Sequence, residues 1–135
     1  MGQEDRWQTL AESSEVLQVA LVAWMAVSTP QTLVALDDAA RRYTTGLADV
    51  IGRPAAQRHA ASLGAYQRAT ERLAALRATL GVVPSVDTAD TEFLQQVIAD
   101  QAAAGRAYEA AAADVVAAVE KARARDNEPD EKGGA

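Results

Sequence analysis

The chain has 135 residues, a formal net charge of -6, one histidine, no cysteine and few aromatics (two Trp, three Tyr, one Phe). That length carries one domain able to bury about two-thirds of its unfolded surface. The missing cysteines exclude disulfides and a thiol nucleophile, and a lone histidine makes a zinc or di-iron site of the usual kinds hard to build.

Charge is unevenly placed. Residues 1–36 hold four acids and one Arg, 37–81 hold seven Arg against four acids, and 82–135 hold eleven acids against five bases. An acidic chain with a locally basic middle lacks the net basic face that phosphate neutralisation needs, so nucleic acid is not an expected partner. Alanine dominates, and β-branched runs bounded by turn residues are absent. The composition therefore predicts an all-α chain.

The first helix is predicted over about 3–27. Trp7, Leu10, Ser14, Leu17, Leu21, Trp24 and Ser28 recur three and four apart, the seam of a packed helix. From Val16 to Val27 the run VLQVALVAWMAV has Gln18 as its one polar residue, and no charge stands between Glu15 and Asp37. Val16, Val19, Val22 and Ala23 add apolar surface outside the seam, so this half of the helix needs cover on several sides. Twelve residues fall short of the ~20 that span a bilayer. Extending the stretch to Leu36 passes through Ser28-Thr29-Pro30. Glu4, Asp5, Glu12 and Glu15 precede the apolar run where a secretory signal would be basic. Arg6 occupies the position where myristoylation prefers Ser or Thr. A soluble, cytoplasmic protein is expected.

Ser28-Thr29-Pro30 opens a second helix, predicted over 30–51, with a hydroxyl as N-cap and Pro at the first position. Its seam is Leu33, Leu36, Ala40, Tyr43, Leu47 and Val50, and Gly46 within it suggests close approach of a neighbouring helix. Gly52-Arg53-Pro54 repeats the punctuation. A third helix over 54–80 then aligns His59, Ser62, Tyr66, Ala69, Leu73, Leu76 and Leu80, with Leu63 beside them. The fourth is predicted over 88–125, with Leu94, Ile98, Gln101, Gly105, Tyr108, Ala112, Val115 and Val119 inward. At roughly 57 Å it either overhangs its neighbours or breaks near Gly105. Residues 126–135 read as a disordered acidic tail. Short joints favour an antiparallel four-helix bundle with a long C-terminal helix. The competing picture joins helices one and two as a single rod kinked at Pro30.

Chemistry-bearing patterns are sparse. His59 has Ala56 and Ser62 three residues to either side, which breaks the Glu-x-x-His pattern of carboxylate-bridged metals. No Ser sits in a nucleophile elbow, and no Gly-rich phosphate loop exists. No catalytic, cofactor-binding or metal residues are assigned, and a non-enzymatic protein is expected. The surplus apolar surface points instead to binding of a protein, either another copy (a homo-oligomer) or a different chain. The residues assigned to that face are Trp7, Leu10, Val16, Val19, Val22 and Leu33, with exclusion of water as the driving force. A second possible surface is the Arg-rich middle, Arg41, Arg42, Arg53, Arg58, Arg68 and Arg72, which would dock an acidic partner in a small regulatory module.

Thr29-Pro30-Gln31-Thr32-Leu33-Val34-Ala35-Leu36 resembles the [S/D/T]-P-Q-x-L-x-x-L segment that opens a helix in phasins, the small proteins coating polyhydroxyalkanoate granules. The likeness covers about eight residues, with the alanine-rich, cysteine-free composition beside it. The all-round apolar Val16–Val27 and the basic middle depart from the family. The resemblance implies helices that adsorb to a polymer or lipid surface without catalytic residues.

Overall fold

The computed structural model describes residues 2–82 and 88–127. It holds the expected all-α, four-helix fold: α1 (Gly2–Ala26), α2 (Pro30–Ile51), α3 (Arg53–Val82) and α4 (Thr88–Asn127). The helices divide into two units, one of residues up to Gln57 with those from Val115 onward, the other Arg58–Asp114.

In the first unit α1 and α2 form an antiparallel hairpin, not a kinked rod. The reason is the joint. Helix α1 ends at Ala26, and Thr29 takes an extended backbone (φ -122, ψ 164) that interrupts the helical path. The Thr32 N–H donates to Thr29 Oγ1 (3.1 Å) and the Thr29 N–H donates to Thr32 Oγ1 (2.9 Å). Two otherwise orphaned donors are thereby satisfied reciprocally at the start of α2. The Thr32 hydroxyl also donates to the Val27 carbonyl (2.8 Å), tying α2 back to the end of α1.

The seams of α1 and α2 follow their predicted spacing except that Ala20 and Ala39 are buried in place of the expected Leu21 and Ala40, and Ser28 is exposed. Trp7, Leu10, Leu17 and Trp24 are buried against a stripe of Leu36, Ala39, Tyr43 and Leu47. Leu10 reaches Gly46 so closely that a Cβ there would stand 3.1 Å from its Cδ1, which is the close approach expected of that glycine. Val115 and Ala122 of α4 are also buried in this unit. Gly52 closes α2 with φ 94 and ψ 153, a conformation essentially reserved for glycine. Its N–H donates to the Ala48 carbonyl (3.1 Å), and α3 begins at the next residue.

In the second unit α3 and α4 also run antiparallel. Tyr66 stacks on Tyr108 (centroids 6.1 Å, 6° between planes), Gln101 Nε2 donates to Thr70 Oγ1 (3.3 Å), and Arg72 faces Asp100 (3.9 Å). Buried His59 packs on Tyr108, with ring centroids 5.5 Å apart.

One open alternative about α4 is resolved and two expectations are corrected. It passes through Gly105 without a break, because the missing side chain lets the Tyr66 ring pack on the backbone, 3.2 Å from where a Cβ would be. The inward residue of its third turn is Val97, whereas Ile98 is 38% exposed. Three-four spacing back from Gln101 allows either residue, and packing buries Val97. The helix also takes in Asp126 and Asn127, which the sequence assigns to the tail. Residues 128–135 of that predicted tail lie outside the described residues.

Candidate interaction surface

One face of α1 packs on the core and the opposite one is in solvent, yet both are apolar. At 100° per residue, Leu10, Leu17, Ala20 and Trp24 share the inner side, while Val19, Val22, Ala23 and Ala26 point the other way, with Val16 on the flank that lines a groove against α2 and Val27 just past the end of the helix. The outer valines are open: Val16 52%, Val19 65%, Val22 67% and Val27 60% exposed, with Met25 beside them at 49%. Side chains three and four apart on a helix touch, so these form one contiguous stripe rather than scattered singles. Together they present an apolar surface on the order of the largest patch on an ordinary folded chain, about 300–600 Å². No charge interrupts the stripe, and Glu12 and Glu15 close its N-terminal end.

No family model matches the chain, and no curated protein or solved structure shows significant similarity to it. The surface is therefore read from its own geometry.

Of the six residues assigned to the binding face, Val16, Val19 and Val22 are exposed, and Leu33 is half-buried. Trp7 and Leu10 are corrected: both are 5% exposed and belong to the interior. The extra length of α4 explains Trp7. Asp126 in its last turn pairs with Arg6, whose guanidinium lies 5.0 Å from the centre of the Trp7 ring. Leu10 is taken up by the gap above Gly46. Residues the sequence reasoning left out of the face are Met25 and Val27, although both fall in the uncharged run that flagged it.

The six arginines are all exposed, but they are divided. Arg41, Arg42 and Arg53 belong to the first unit, and Arg58, Arg68 and Arg72 to the second. Arg42 pairs with Asp38 one turn away (3.2 Å), and Arg72 covers the Phe93 ring (5.5 Å) besides facing Asp100. Exposed pairs of this kind contribute little to stability, but they lower the net charge available to an acidic partner.

An open groove of about 740 Å³ runs between the first half of α1 and the second half of α2. Asp5, Glu12 and Asp49 line it against Arg6, Arg41 and Arg42, a balanced set with no charge preference. Burial pushes the Tyr43 phenol above its usual range, opposed by a hydrogen bond with Ser14. Burial pushes the His59 imidazole below its usual range. Among the described residues no three His, Asp or Glu side chains gather as a metal would require. Among them, too, no helix is long and apolar enough to cross a membrane.

Proposed function

We propose that this chain is a non-enzymatic helical binding protein that acts through the outer face of α1. The observation supporting it is the solvent exposure of Val16, Val19, Val22 and Val27 on the side of a helix whose opposite side already fills the core. Each ~100 Å² of that surface taken out of water releases about 2.5 kcal/mol, set against association costs of about 4–15 kcal/mol. The test is retention on a hydrophobic-interaction matrix. The wild-type chain is expected to be held, and the double variant Val19→Ser, Val22→Ser to elute early with an unchanged thermal melt. Equal retention of the two proteins would remove the basis of this reading.

The same face supports a second reading, the surface-coating role implied by the phasin-like segment at Thr29–Leu36. There the stripe would lie on a polymer or lipid phase instead of a protein. Co-sedimentation with polymer particles or vesicles, lost in the double serine variant, separates the two.

A further inference from the structure

We infer that the ion pair of Arg6 with Asp126 is a latch, which opens to uncover Trp7 while the α1–α2 hairpin stays folded. The proposal does not depend on the reading of the outer face of α1.

The latch joins residues 120 positions apart, one near the start of α1 and the other in the last turn of α4. Asp126 holds the Arg6 guanidinium, which lies 5.0 Å from the centre of the Trp7 ring. At that distance a cation is attracted to an indole, so Arg6 serves as a cover for a ring that is 5% exposed. On the other helix, Val115, Ala122 and Asp126 share one side at 100° per residue. Val115 and Ala122 are buried, and Ala118 and Val119 beside them are half-buried.

Three observations make the closed state easy to leave. The stripe that seats the end of α4 in the first unit is made of alanines and two valines, so lifting it exposes little apolar area. Asp126 lies where the negative end of the helix dipole disfavours a carboxylate and suits its neighbour Arg125, so Arg6 is the partner that offsets its position. Trp7 Nε1 is buried with no hydrogen-bond partner among the described residues, and this desolvated donor regains water when the cover lifts. The pair itself is partly open, its side chains 40% and 26% exposed, so dissolved salt screens it.

The hairpin is held by other contacts. Leu10 packs on Gly46, Leu17 and Trp24 are buried with Leu36 and Tyr43, and Thr29 and Thr32 cap the joint. None of these uses Arg6 or Asp126. Leu10, one turn from Trp7 on the same side, lines the open groove between α1 and α2 together with Arg6. Opening the latch therefore extends the apolar floor of that groove by an indole ring.

The test replaces both tryptophans with 5-fluorotryptophan, giving one fluorine signal each, and Trp7→Phe tells which is which. The change of each signal between H2O and D2O reports its exposure. In Asp126→Asn, and in the wild-type chain at high salt, where the Debye length is about 3 Å, the Trp7 value is expected to rise toward that of free indole. The Trp24 value is expected to stay that of an enclosed ring, showing the hairpin intact. Both signals responding together would mean one cooperative structure and overturn the latch. A Trp7 signal unmoved in the variant, or unmoved by salt, would overturn it as well, since a closure held by charge must yield to both.

Discussion

The two sides of α1 make opposite predictions for substitutions only five residues apart. Leu17 is 2% exposed on the inner side, and Leu17→Ala leaves a cavity that costs about 2–5 kcal/mol. For a chain of this size that lowers the melting midpoint by roughly 6–20 °C. Val22 is 67% exposed on the outer side. Val22→Ser exchanges residues of similar helix propensity and removes no buried contact, so the midpoint should move by less than about 2 °C. It does remove up to ~100 Å² of apolar contact surface, about 2.5 kcal/mol before relaxation, and should weaken association at least tenfold. Circular-dichroism melts of both variants, paired with retention on the hydrophobic-interaction matrix, read the two effects separately. A Val22→Ser midpoint depressed as far as that of Leu17→Ala would mean the valines are covered within one chain, and the surface reading would fail.

Three further outcomes follow from particular contacts. Thr29→Val keeps the shape of the residue but removes the oxygen that accepts from the Thr32 N–H, and should cost about 1 kcal/mol in urea unfolding. Gly105→Ala gains about 1 kcal/mol of helix propensity, but its Cβ would meet the stacked Tyr66 ring at 3.2 Å; net destabilisation with a disturbed tyrosine near-ultraviolet signal is expected. His59 is held neutral by burial, so its folded pKa lies below the unfolded value of about 6.5 and the unfolded chain binds the extra proton. Stability should be level above that pH and fall below it by up to ~1.4 kcal/mol per unit until the folded pKa is reached. His59→Gln should flatten that slope between pH 7.5 and 5.5, whatever its effect on stability at neutral pH. An unchanged slope would show that His59 gains its proton as readily folded as unfolded.

Legibility followed the length scale of the interaction. The core seams of α1 and α2 were readable because three-four spacing is a local property of a helix, and the Thr29-Pro30 start because capping needs only neighbouring residues. Gly46 was readable as a close approach, since a glycine inside a good helix needs a reason. In α4 the pattern misled by one residue at Ile98. An alanine-rich helix offers small apolar side chains on every face, so the inner stripe is weakly marked, and Val97 and Ile98 both keep three-four spacing to Gln101. Trp7 was misplaced for a different reason. Its turn is polar in sequence, and what shelters it is Arg6 held by Asp126, 120 positions away.

For the proposed surface, sequence alone established that the run from Val16 to Val27 carries more apolar area than one helix face can hide, because alternation and charge are written in the order of residues. Its spacing turned Leu10, Leu17 and Trp24 inward, but whether anything covers the opposite side is not written in the order of residues. That was decided by tertiary packing, where α2 can occupy only one side of α1. It took the side bearing Leu10, Leu17 and Trp24, whose larger side chains fill the space between helices, and left the valines to water.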